Sequence, residues 1–82
     1  MPFYTYIIQS DTDGSFYIGS THDLELRVLR HNEGWSRSTK AKRPWNLVYF
    51  KEFQTKSEAL KREFEIKRRK SKKYIESLIK NA

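Results

Sequence analysis

Tyr6, Tyr17, Arg27, His31 and Glu63 are side chains of the types that hydrolyse a phosphodiester. Breaking that bond needs a base for the attacking water, positive charge for the phosphoryl oxygens and a metal near the leaving oxygen. Other common chemistries lack their residues: there is no cysteine, no Ser-His-Asp order, no phosphate-binding glycine loop and no metal-ligating histidine pair. Taken singly, each residue has an ordinary reading. His31 is a satisfied core histidine, Arg27 a solvated helix charge, and the tyrosines are strand aromatics. Asp23 reads as a helix cap, His22 as an exposed residue with no role, and Trp35 as a packing residue. Only the combination points to phosphodiester chemistry, and it requires elements that bring the five together.

Phe3 to Gln9 is rich in strand formers, with Tyr4, Tyr6 and Ile8 on one face. Asp11-Thr12-Asp13-Gly14 is a turn signal, and Phe16 to Gly19 reads as the returning strand of an antiparallel hairpin. Two registers fit. A loop at 11–14 sets Tyr6 opposite Gly19, whereas a tight turn at Asp13-Gly14 sets Ile8 there. In both, Tyr6 and Tyr17 share a face of the sheet, because partners across a ladder point the same way. Gly19 would let a phosphate or metal approach the strand.

Asp23 to Gly34 reads as a helix, with Thr21 or Asp23 as cap and Gly34 as stop. At about 100° per residue, Leu24, Val28 and His31 form its inward stripe, with Arg27 at the margin. Trp35 to Arg43 is polar and basic without periodicity, which predicts a loop. Trp45 to Phe53 reads as a third strand, buried at its start.

Thr55 and Glu58 fit a capping box that starts a second helix near Lys56. Its expected apolar side is Ala59, Leu60, Phe64 and Ile66, with Lys61, Arg62, Glu65 and Arg68 opposite. Glu63 falls within the apolar arc, where a charge is costly unless paired or coordinated. Two readings stand: an i, i+4 pair with Lys67, and a carboxylate facing a polar cleft, ready to hold a divalent cation. Ser71 caps a last helix whose stripe is Tyr74, Ile75, Leu78 and Ile79.

An 82-residue chain is expected to form a single domain over 1–82, burying only about 60% of its unfolded surface. The absence of cysteine and of any long apolar run predicts a soluble, cytoplasmic protein with no membrane association. The formal net charge is +7, and Lys61 to Lys73 holds eight basic residues against two acidic. Such a block suits a polyanion or serves as a solubilising helix face.

The sequence resembles the GIY-YIG nuclease family along nearly its whole length. Tyr17-Ile18-Gly19 stands as the second signature triplet. Tyr4-Thr5-Tyr6 keeps only the final tyrosine of the first. The Thr-x-Asp-Leu-x-x-Arg-x-x-x-His run from Thr21 to His31, then Arg43-Pro44-Trp45 and Ala59-Leu60-Lys61-Arg62-Glu63, are similar to the small single-domain bacterial members. The resemblance implies an α+β fold, a three-stranded antiparallel sheet flanked by helices in the order β-β-α-β-α-α. It also implies one divalent metal, Mg²⁺ or Mn²⁺, and no small-molecule cofactor.

Carried over by position, Tyr17 or His31 is the general-base end, and Tyr6 positions or activates the water. Arg27 clamps the scissile phosphate, and Glu63 binds the metal. Gly19, Arg37, Lys40, Lys42, Arg43, Lys67 and Arg68 are the expected nucleic-acid contacts. The implied activity is endonucleolytic cleavage of DNA, on branched or damaged forms in repair or recombination. With no separate binding domain, affinity must come from the basic surface, from a homodimer or from a protein partner. The alternatives are a non-catalytic nucleic-acid-binding module of the same fold and a protein-interaction domain docking through its last helix.

Overall fold

The computed structural model describes residues 1–81. Seven elements follow in order: β1 (Phe3–Ser10), β2 (Phe16–Thr21), α1 (Leu24–Glu33), α2 (Arg37–Lys40), β3 (Trp45–Phe53), α3 (Lys56–Arg69) and α4 (Lys72–Lys80). The three strands form one antiparallel sheet in the order β2-β1-β3, as expected for the α+β class. The one added element is α2. A single helical turn lies inside the stretch expected to be a loop, started by Ser36, whose carbonyl accepts from Thr39 N and Lys40 N.

The hairpin adopts the register with Tyr6 opposite Gly19. The turn selects it: Ser10 N donates to Ser15 O, Gly14 N donates to Ser10 O, and Gly14 takes a left-handed φ of 76°. Ser10 Oγ also accepts from Thr12 N and Asp13 N, so the tip is tied to β1. On the other side of β1 the ladder shifts between Ile7 and Ile8, leaving Val48 as the extra residue of a bulge in β3.

Alternation along β1 divides the core between two faces. Tyr6 and Ile8 pack with Trp45, Tyr17, Leu24 and Val28 under α1. Ile7 packs with Ile66 and Ile75, together with Phe16, Ile18 and Tyr74, under α3 and α4. Each fully buried side chain of this size contributes roughly 1.5–3 kcal/mol. The apolar stripe of α4 is thus spent on the domain's own sheet, which removes the observation behind a docking role for that helix.

Caps fix the helix ends. Asp23, not Thr21, caps α1 and accepts from Leu26 N, and Gly34 ends the helix with a φ of 85°. Thr55 and Ser71 cap α3 and α4, accepting from Glu58 N and Tyr74 N. α3 sits differently from the apolar arc expected for it. Ala59 and Ile66 are buried, whereas Leu60 is 45% exposed and Phe64 67%. Two stripes competed for the core, and the tight one won because Ala59 O accepts from the buried Thr5 Oγ1 at 2.7 Å, drawing that turn of the helix close to β1. Arg62, expected outside, is half-buried, its guanidinium 6.0 Å from the Tyr74 ring. Trp35 is 68% exposed instead of packed, and stacks only with the Arg30 guanidinium at 4.8 Å.

Candidate active site

The rotation of α3 puts Glu63 in line with the buried Ala59 and Ile66, so its carboxylate lies at the rim of the sheet. Its side chain is 18% exposed and has two partners. Ser20 Oγ donates to Oε1 at 2.7 Å, and Lys67 Nζ lies 2.6 Å from Oε2. Ser20 is on edge strand β2, beside Gly19, and pairs with Thr5 on the α3 face. Tyr6, Tyr17 and Gly19 occupy the opposite face, under α1. The two sets meet around the β2 edge.

On the α1 side the contacts are continuous. Arg27 Nε donates to the Tyr6 hydroxyl at 3.2 Å, and that hydroxyl is 2.9 Å from His31 Nε2. His31 Nδ1 is 2.8 Å from Thr39 Oγ1. The Tyr17 ring packs edge-on against His31 at 5.0 Å, and Lys67 Nζ lies 6.0 Å from its centroid. Lys67 therefore joins Tyr17 to Glu63, and the five candidate residues form one connected cluster.

Burial separates an inner from an outer set. Tyr6 is 0% exposed and His31 1%. Burial raises the Tyr6 pKa despite the opposing Arg27 charge. Burial, followed by the charge of Arg27, lowers that of His31 to about 4, so the ring is neutral near pH 7. The hydrogen bond to Tyr6 holds Arg27 more firmly charged. Both ring nitrogens of His31 are engaged, by Tyr6 and Thr39, and the ring is buried. The Tyr6 hydroxyl is likewise engaged on both sides, by Arg27 and His31. Tyr17, Arg27 and Glu63 are the partly exposed members. The largest side-chain cost here is met in full: no buried side-chain nitrogen or oxygen among the described residues lacks a partner.

Gly19 also has a different role from the one expected. It is buried, and a Cβ built there would meet the Tyr6 hydroxyl, so its open side receives Tyr6 and leaves no space for a phosphate. Among the expected phosphate contacts, Arg37 and Lys40 are exposed on α2, which touches the cluster through Thr39. Arg43 Nε donates to Lys40 O, and Lys42 pairs with Asp13 at 3.5 Å. Lys67 and Arg68 are exposed on α3, which touches the cluster through Glu63. A cavity of about 680 Å³ between α1 and β3 includes none of the five. Asp23, Glu25 and Glu52 line it, and their charge disfavours a polyanion there.

Three contributors were not singled out from the sequence: Ser20, Asn32 and Thr39. Asn32 brackets the Trp45 backbone, accepting from Trp45 N at 2.6 Å and donating to Trp45 O at 3.0 Å. Trp45 Nε1 in turn donates to Thr39 O at 2.8 Å. Ser20 could have been found from its place beside Gly19. Nothing in the spacing marks Thr39, because its contact depends on α2.

Glu63 is the one carboxylate of the cluster, and no group of three His, Cys, Asp or Glu side chains able to hold a metal occurs among the described residues. A single carboxylate suits Mg²⁺ or Mn²⁺, hard cations that keep several waters and take further oxygens from phosphate. The donor set fits such an ion once Lys67 yields Oε2.

A family model described as the GIY-YIG catalytic domain matches residues 2–75. A UPF0213 protein of Staphylococcus saprophyticus is 52% identical over 65 residues, covering 78% of each chain. A Staphylococcus epidermidis UPF0213 protein is 49% identical over the same length and shares. The solution NMR structure of a UPF0213 protein from Bacillus halodurans is 34% identical with a TM-score of 0.61, covering 98% of this chain and 84% of that one.

Proposed function

From the membership of this chain in the GIY-YIG family, we propose that it is a divalent-metal-dependent endonuclease that hydrolyses DNA phosphodiester bonds. The observation that carries this reading is Arg27, a permanently charged guanidinium anchored through Nε to Tyr6, beside Tyr17 and across the β2 edge from Glu63. Anchoring through Nε leaves the two terminal nitrogens to grip phosphate oxygens.

In this reading Tyr17 takes the proton of the attacking water. Lys67 Nζ, 6.0 Å from the Tyr17 ring, and the Arg27 guanidinium place positive charge on this side of the cluster, where the phosphoryl oxygens would lie. Glu63, oriented by Ser20, holds Mg²⁺ or Mn²⁺, which when bound would offset charge on the leaving oxygen. Lys67 releases Glu63 and turns to phosphate. Tyr6 and His31 hold Arg27 in place and exclude water from behind it. Arg37 and Lys40 on one side, and Arg68 on the other, attract the flanking backbone.

The test is purified protein with Mg²⁺ or Mn²⁺ against duplex, single-stranded, junction and damaged DNA, with Glu63→Ala and Arg27→Ala as controls. Cleavage by the natural sequence alone supports the enzyme, and branched or damaged forms are the expected best substrates, in repair or recombination. No cleavage of any member, with Glu63→Ala indistinguishable, sinks it. The seat of Lys67 on Glu63 favours a second reading, a nucleic-acid-binding module whose carboxylate is neutralised internally. That module would bind with strong salt dependence, turn nothing over and be indifferent to Glu63→Ala.

A further inference from the structure

Four hydrogen bonds run from Arg27 into the interior, and accounting for their protons fixes the direction of each. Arginine only donates, so Arg27 Nε–H is received by the Tyr6 oxygen. Tyr6 is 0% exposed, so its own hydrogen must find an acceptor within the protein, and its other side-chain partner is His31 Nε2. Nε2 is therefore unprotonated, and the neutral ring carries its hydrogen on Nδ1. Nδ1–H must then be received by Thr39 Oγ1, at 2.8 Å. The Thr39 hydroxyl passes its hydrogen to Ser36 O, 3.4 Å away.

The opposite tautomer fails this accounting. With the hydrogen on Nε2, Tyr6 would receive from both His31 and Arg27, and its own buried O–H would have no acceptor. A buried donor without a partner is costly, so the arrangement would relax by moving Arg27, the partly exposed partner, off the Tyr6 hydroxyl. The tautomer of His31 thus decides whether Tyr6 offers Arg27 a lone pair or a hydrogen.

We propose that Thr39 is a positioning residue for Arg27: its hydroxyl holds His31 in the Nδ1–H form, which keeps the Tyr6 lone pair turned to Arg27. Thr39 is itself 0% exposed, and Trp45 Nε1 anchors its carbonyl at 2.8 Å, so Oγ1 has little freedom. The groups facing the imidazole are Tyr6 from β1, the Tyr17 ring from β2, Arg27 from its own helix and Thr39 from α2. Arg27 is the one permanent charge among them, and it disfavours imidazolium. The ring therefore works as a neutral relay of orientation and not as a proton store. The catalytic consequence rests on the nuclease reading above; the hydrogen-bond direction does not.

The experiment uses the whole protein labelled with ¹⁵N, in which only His22 and His31 contribute imidazole signals. Ring ¹H–¹⁵N correlations assign the tautomer, and the Arg27 Nε–H signal reports its hydrogen bond. The natural protein and Thr39→Ser should both show Nδ1–H on His31 and a slowly exchanging Arg27 Nε–H. Thr39→Val, nearly the same shape without the hydroxyl, should shift the ring toward Nε2–H and speed the exchange. Cleavage by Thr39→Val should fall about 10- to 100-fold in kcat with KM little changed, and Thr39→Ser should restore it. Nε2–H in the natural protein, or an unaltered tautomer in Thr39→Val, overturns the proposal, and the first of these is decided even if the valine variant does not fold. If the natural protein cleaves no DNA, the nuclease reading fails while the ring signals still decide the role of Thr39.

Discussion

A Cβ on Gly19 would stand 2.5 Å from the Tyr6 hydroxyl and 2.7 Å from its Cζ, so the strand has given up a side chain to seat the tyrosine. Tyr6 cannot yield, since it is fully buried and held by Arg27 and His31. Gly19→Ala should therefore destabilise the domain by about 1–3 kcal/mol through overpacking. It should also abolish cleavage by displacing Arg27. In a Tyr6→Phe background the nearest clash disappears, so the same substitution should cost less. Urea unfolding of the four proteins in this cycle measures the coupling. Equal costs in both backgrounds would show that the clash is with the ring, whose Cζ is 2.7 Å from that Cβ, and not with the hydroxyl.

Lys67 and a metal compete for Glu63. The pair is short, at 2.6 Å, but the lysine side chain is 48% exposed and the spacing is i, i+4, a class worth only about 0.3–0.5 kcal/mol. Lys67→Met should accordingly tighten Mn²⁺ binding about twofold, since 1.4 kcal/mol corresponds to tenfold. The same variant should cleave more slowly, because it lacks a phosphate contact. Glu63→Gln should lose the Mn²⁺ site altogether. Calorimetric titration separates the cases, and weaker binding by Lys67→Met would mean that lysine helps to build the metal site.

The order of strands and helices along the chain, the hairpin faces and the helix ends were legible because alternation, turn residues and caps are local signals. Tyr6 and Tyr17 could be placed on one face without knowing the register, since both candidate pairings preserve parity. The choice between the pairings depended on Ser10, whose side chain receives two turn amides, and no periodicity reveals that. α3 exposed the limit of helical patterning. Ala59 with Ile66 and Leu60 with Phe64 are equally good stripes, and the decision came from Thr5 on a distant strand bonding to Ala59 O. Glu63 stood out from the sequence, but the inner residue Thr39 is joined to the cluster by tertiary contacts alone. Burial was legible only in part: the helical stripe set His31 inward and Arg27 at its margin, but nothing in the sequence separates a fully buried Tyr6 from a partly exposed Tyr17 on the same face of the sheet.

The exposed cations should be separable by salt. Arg37 and Lys40 are exposed on α2, close to the cluster, and neither makes an ion pair among the described residues. Lys42 is already engaged with Asp13. Each phosphate contact contributes about 0.9 to the slope of log affinity against log salt. Replacing Arg37 and Lys40 by alanine should lower that slope by nearly two, measured on duplex or junction DNA with Glu63→Gln to prevent cleavage. Lys42→Ala should lower it by less. An unchanged slope in the double variant would remove α2 from the interface.

His31 should make the domain sensitive to mild acid. Its pKa is about 4 when folded, against an ordinary value of 6.5. Below pH 6.5 the unfolded chain takes up a proton that the folded one refuses, so stability falls with pH across this window and is flat above it. At about 1.4 kcal/mol per unit, the loss between pH 6.5 and 4 is on the order of 3 kcal/mol, because the ring is buried at 1% exposure. Asp13 acts in a separate window. Hydrogen bonds from Ser15 hold its pKa at about 2, so its contribution is lost only below pH 3.8. Urea midpoints at pH 7, 5.5 and 4.5 should therefore decline in the natural protein and decline less in His31→Gln, which keeps polar atoms in the cavity without titrating. A direct NMR titration of the His31 ring gives the same answer without the variant. If it titrates near 6.5, the imidazole is not sealed behind Tyr6, and the division into inner and outer residues must be redrawn.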